Sequence, residues 1–143
     1  MNKVKKEIEA LVAKIAPLRE RISQLEYQEI LENQRPRLDK LIGFCLHSTY
    51  SDREYGKIID LVDSKDGTPY FILKILSITK EGNPYIHLDS VHPYLNKEWW
   101  DKEIPMSGWE KCSEEEYLSF EKRIIMELST QKSLRKFVKR IEY

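Results

Sequence analysis

The chain has 143 residues, 41% hydrophobic and 34% charged, with 24 basic side chains balanced by 24 acidic ones. That length is one domain, or one small domain with helical extensions, and a charge fraction above the usual quarter suits long solvated helices. A net charge of zero excludes a global field steering the protein toward nucleic acid or an anionic membrane. Two cysteines, Cys45 and Cys112, stand far apart in sequence and form no CxxC pair, against a disulfide scaffold or a thiolate zinc site. The opening MNKVKKEIEALVAK has no unbroken apolar run of the signal-peptide kind, and no stretch approaches the roughly 20 apolar residues of a membrane span. A soluble, cytoplasmic protein is expected.

Along residues 1–36 the apolar side chains Val4, Ile8, Leu11, Ile15, Leu18, Ile22 and Leu25 alternate in steps of four and three, a heptad repeat. Isoleucine at a with leucine at d favours a parallel two-stranded coil, so the first expected partner is a second copy, as a dimer or higher oligomer. The alternative is a stripe packed on the protein's own β domain. At the g and e′ positions of a parallel coil Arg21 and Glu26 attract while Lys14 and Arg19 repel, which leaves orientation open. Pro17 costs about 3 kcal/mol inside a helix. The register runs straight through it, favouring a continuous helix over a hairpin broken near Ala16, and ENQRPR around Pro36 reads as the stop.

Residues 37–112 change to a period of two. A half-buried strand is expected around Ile42, Phe44 and Leu46, then KIIDLVD, the doubly apolar PYFILKILSIT and YIHLDSV, separated by turns at STYSDREYG, SKDG and EGNP. Hairpins without intervening helices imply an antiparallel meander, a bent sheet or a small SH3-like barrel. All three tryptophans fall in NKEWWDKEIPMSGW. If NKEWW is a strand, Trp99 and Trp100 face opposite ways, and Trp109 staples the helix that follows.

Residues 113–143 form a capped helix: Ser113 as N-cap with Glu116 three residues on, three glutamates at the positive end of the dipole, and an apolar face of Tyr117, Phe120, Ile124 and Leu128 for the sheet. The end, QKSLRKFVKRIEY, flanks an apolar stripe with Lys132, Arg135, Lys136, Lys139 and Arg140. Such a basic amphipathic helix can dock on nucleic acid, an acidic partner or a membrane surface, or pack on the first helix or a second subunit.

Chemistry is sparse. Cys45 and His47 share a strand face, as do His87 and Asp89, which is the minimum for a thiol–imidazole or an oriented imidazole pair. His47, His87 and His92 could meet around a metal only on adjacent strands. Five glycines leave little for phosphate-cradling loops, and HExxH, GxGxxG, P-loop and GxSxG motifs are missing from the sequence.

LIGFCLHSTYSD after a heptad helix, with the later GWEKCSEEEYLSFEKRI, resembles small uncharacterised accessory proteins of bacteriophages and mobile elements. Those pair a coiled coil with a compact β module and begin a closing helix with I-S-E-E-E-[FY]. Cys112-Ser113-Glu114-Glu115-Glu116-Tyr117 matches apart from the cysteine, and the likeness covers roughly residues 41–126. It implies an accessory, non-catalytic role such as modulation of a host or defence protein, and carries over no functional residue.

The reading is thus an α+β protein: an N-terminal coiled-coil helix, a small antiparallel β module and a long C-terminal helix. Function is expected to be non-catalytic protein binding by a homo-oligomer, without a cofactor, through Tyr50, Arg53, Tyr55, Tyr94 and Trp99 or Trp100 on exposed turns. The alternatives are nucleic-acid binding by the basic helix, or sequestration of a small phosphorylated ligand between subunits near Arg53 and Arg123.

Overall fold

A 38-residue helix, α1 (Asn2–Asp39), opens the chain in the computed structural model, which describes the backbone over residues 2–142 and side chains over residues 2–130. The helix passes through Pro17 and Pro36 unbroken, so the hairpin near Ala16 is not adopted. It also runs past the expected stop at Pro36. Tertiary packing overrides that local signal: Leu38, in the extra turn, is 1% exposed. The chain divides into two compact units, Met1–Pro36 and Arg37–Tyr143. Within the first, every heptad residue from Val4 to Leu25 stands exposed, between 41 and 64%.

In the second unit a tight turn follows Leu38, with the Leu41 amide donating to the Leu38 carbonyl at 3.1 Å and Gly43 in the left-handed region at φ +94°. The first strand therefore starts at Cys45 rather than near Leu41, and Ile42, expected to be half-buried in it, is an exposed turn residue. Five strands follow: β1 (Cys45–Ser48), β2 (Glu54–Asp63), β3 (Pro69–Ile78), β4 (Pro84–Val91) and β5 (Trp109–Lys111). They form an antiparallel sheet in the order β4–β3–β2–β1–β5. Among the described residues no ladder joins β4 to β5, so of the two forms expected the open sheet is the one observed.

The Ser64–Thr68 turn closes the second hairpin. The Asp66 carboxylate accepts the Ser64 hydroxyl and the Thr68 amide, and these bonds hold its pKa at about 2. The segment NKEWW is not a strand. Lys97–Trp99 form a single 3₁₀ turn after Asn96, and Trp109, expected as a helix staple, begins β5.

The last helix, α2 (Glu114–Glu142), starts as expected, with the Glu116 amide donating to Ser113 Oγ at 3.1 Å. Tyr117, Phe120 and Ile124 are buried with Cys45, Leu76 and Ile78 on one face of the sheet, and Leu128 packs beside them. The other face carries a second core of Leu38, Leu41, Leu46, Ile58, Phe71, Leu73, Ile104 and Met106. Strand β3 serves both cores, which is why its sequence is apolar on both faces. No described helix is long and apolar enough to cross a membrane.

Candidate binding surface

Two connections that lie far apart in sequence meet over one end of the sheet. The Thr49 amide donates to the Gly108 carbonyl at 2.9 Å, tying the β1–β2 turn to the turn before β5. Ser48 Oγ accepts the Tyr50 amide at 3.2 Å, and the Tyr50 hydroxyl lies 3.3 Å from Ser107 Oγ, so the ring lies across the Gly108 backbone. Trp109 turns onto the sheet, its ring filling the space above Gly56, where a Cβ would come within 3.2 Å of it. A glycine inside a strand marks such close approach.

The long β4–β5 connection is held from the opposite side. Arg37 donates through Nη2 to the Trp99 carbonyl at 2.8 Å and to the Lys102 carbonyl. The Trp99 ring stacks on Tyr94 with centroids 4.6 Å apart, and Lys102 Nζ sits 4.2 Å from the Trp99 ring centre. Lys111 pairs with Glu103 at 3.1 Å. Between these parts runs an open groove of about 580 Å³, lined by Tyr50, Trp99, Lys102, Glu103, Met106 and Trp109 among others. Its character is aromatic at the walls and mixed-charge at the rim, a composition that suits a protein segment.

The expected contact residues divide. Tyr50 and Trp99 join in the groove, with Tyr94 behind Trp99. Trp100 is 42% exposed and points elsewhere, its Nε1 donating to the Leu95 carbonyl at 2.9 Å. Arg53 is an exposed turn residue whose carbonyl accepts the Ile78 amide at 3.0 Å. Tyr55 belongs to the opposite face, its ring packed at a tilt against Phe120 of α2 at 4.6 Å and against His47 at 4.9 Å. Alternation explains the split: the short β1–β2 turn leaves residues 50 and 55 on different sides of the sheet. Trp109, Lys102 and Gly108 were not singled out for the groove by sequence. The side chains of Lys132, Arg135, Lys136, Lys139 and Arg140 lie outside the described residues. Arg123, the proposed phosphate ligand, pairs along its own helix with Glu127 at 3.3 Å.

The sheet brings the two cysteines together. In the β1–β5 ladder Leu46 opposes Lys111, and the next pair places Cys112 beside Cys45, the Cys112 amide donating to the Cys45 carbonyl at 2.9 Å. Both thiols are free; burial pushes Cys45 up and Cys112 up to about 11. These are shifts away from thiolate chemistry. The histidines go separate ways, His47 onto Tyr55, His87 onto Tyr85 and His92 onto Tyr70. Among the described residues no three His, Cys, Asp or Glu side chains could hold a metal ion. No protein family matches the chain, and neither does any curated protein or solved structure.

Proposed function

We propose that the protein is a non-catalytic binding protein that associates with itself through the heptad seam of α1 and holds a protein partner in the aromatic groove. The observation that carries this reading is the seam itself, seven apolar side chains in register and all exposed. Each such side chain gains about 1.5–3 kcal/mol when fully buried, and a long helix draws most of its stability from burying that face. Self-association also multiplies a weak grip at each groove, which suits the cytoplasmic accessory role, on a phage or mobile element, that the sequence resemblance implies.

Cross-linking by register tests the seam. In a parallel coil Leu11→Cys and Leu18→Cys each oxidise to a covalent dimer, whereas Ala13→Cys on the solvent face does not; the wild-type chain, with its own two thiols, is the control. A wild-type protein that is monomeric by native mass spectrometry, or unlinked Leu11→Cys and Leu18→Cys chains, would overturn the seam. For the groove, a photo-crosslinking residue at Tyr50 should capture a second kind of polypeptide in cells while one at Lys65, on the far hairpin, should not. Capture of the chain's own copies alone would reassign the groove to self-contact.

A further inference from the structure

We infer that the free edge of β4 is a second self-association surface, pairing antiparallel with β4 of another copy about a two-fold axis through Leu88. The two edges of the sheet differ in kind. Strand β5 is three residues long and carries Glu110 and Lys111, features that discourage pairing. Strand β4 is eight residues long, keeps unbroken register with β3, contains no lysine or arginine and is exposed on both faces from Tyr85 to Ser90. Leu88 is 65% exposed. A long, regular, largely apolar edge is the kind that recruits another strand.

The outward hydrogen-bonding groups follow from the hairpin. The Thr79 amide donates to the Asn83 carbonyl, so by antiparallel alternation Tyr85, His87 and Asp89 bond to β3. Ile86, Leu88 and Ser90 then turn their amides and carbonyls to the free side. In agreement, the Ser90 amide is bound at 2.9 Å by the carboxylate of its neighbour Asp89 instead of by β3.

The sequence of β4 is complementary to itself in this register. Leu88 meets its own copy on the axis, Ile86 opposes Ser90, and His87 opposes Asp89 twice, an imidazole facing a carboxylate across a close, non-hydrogen-bonded pair. Shifting the axis to His87 would set two imidazoles against each other. The α2 side of the same edge is apolar too. Leu118, Glu121 and Ile125 form one helical row, and Glu121 reaches Lys74, the cross-strand neighbour of Leu88, at 2.8 Å. Leu118 and Ile125, both exposed, share that row with Glu121 and extend the surface that a second copy would cover. On pairing, Asp89 exchanges its bond to the Ser90 amide for the partner copy's imidazole.

The test uses the full chain carrying Leu11→Asp and Leu18→Asp, which removes the seam and leaves the edge. That protein should remain dimeric by native mass spectrometry, and adding Leu88→Lys should make it monomeric with unchanged circular dichroism of the β unit. Leu88→Cys should oxidise to a covalent dimer, because directly opposed hydrogen-bonded pairs have Cα atoms about 5.5 Å apart, within disulfide reach. Tyr85→Cys should not, since the register separates its two copies by on the order of 20 Å. A seam-broken chain that is already a monomer would overturn the proposal. So would equal cross-linking at both positions, or a monomer whose β4 amides gain exchange protection only when another protein's strand binds.

Discussion

The ring of Tyr50 rests on the backbone of Gly108, so closely that a Cβ at residue 108 would stand 2.5 Å from Tyr50 Cε2. Gly108 also holds φ at +87°, a conformation costing other residues about 1–2 kcal/mol. Gly108→Ala should therefore lower stability by roughly that amount and swing Tyr50 out of the groove, since the exposed ring can move more easily than the turn. Urea denaturation measures the first effect. Faster quenching of tryptophan fluorescence by acrylamide, as Trp109 and Trp99 lose their neighbour, measures the second. A Gly108→Ala protein with wild-type stability and quenching would show that the turn relaxes freely.

Arg37 connects the last turn of α1 to the 3₁₀ turn through the carbonyls of Trp99 and Lys102. Hydrogen bonds from a charged donor contribute about 1.5–3 kcal/mol each, and one guanidinium nitrogen, Nη2, reaches both acceptors. Arg37→Ala should cost on the order of 2–3 kcal/mol, and Arg37→Lys should recover a large part of it, because a single charged nitrogen serves both carbonyls and an ammonium group carries donors enough for two. Thermal melting followed at the tryptophan emission band reads the difference. No rescue by lysine would mean that the guanidinium plane, and not one charged donor shared by two carbonyls, holds the segment.

Much of this fold is legible in the sequence, and the failures share a cause. The α1 helix, the turns at SKDG and EGNP, the Ser113 cap and the Tyr117–Phe120–Ile124 face are local patterns, and each appears where its pattern places it. The expected turn STYSDREYG is shorter, Glu54–Gly56 pairing with β1 and β3 as the start of β2. The β1 boundary, the extension past Pro36 and the turn at NKEWW were decided by contacts across the chain: Leu38 in the core, Arg37 on the Trp99 carbonyl and Tyr94 on the Trp99 ring. The groove needed two connections to meet, and Gly56, which closes the expected turn STYSDREYG in sequence, in fact lies inside β2 with the Trp109 ring above it. Likewise, no spacing rule places Cys45 beside Cys112, because their pairing follows from β5 returning to β1.

That cysteine pair has a chemical consequence. Burial raises Cys112 to about 11, with the neighbouring Cys45 as the next cause, so the thiolate that reacts with alkylating agents is scarce near neutrality. Iodoacetamide should modify Cys112 in the folded protein far more slowly than in the urea-unfolded chain at pH 8. The folded-state rate should climb about tenfold per pH unit until it approaches pH 11, for as long as the fold survives. Mass spectrometry of timed, quenched samples gives both rates. A rate plateau near pH 9 would place Cys112 in water rather than under the first turn of α2.

The bond between Lys74 and Glu121 joins β3 to α2 at 2.8 Å, and Lys74, its largest influence, pulls the Glu121 carboxyl below its ordinary value. A carboxylate depressed in the folded state adds stability above its unfolded pKa and loses it as pH falls through the folded one. Both side chains retain some exposure, so the pair is worth about 0.5–1 kcal/mol rather than the figure of a dry interior. Glu121→Gln should thus lower the urea midpoint at pH 7 by an amount that shrinks toward zero as acid protonates the wild-type carboxylate in the folded state, at a pH below the ordinary glutamate range. Lys74→Met in the same background should add little further loss at pH 7, because the two changes remove one interaction. Additive losses would mean that each side chain stabilises the sheet and helix separately, Lys74 by covering Leu88 and Glu121 by its place beside Tyr117, whose own hydroxyl pKa is pushed up by burial and by that carboxylate.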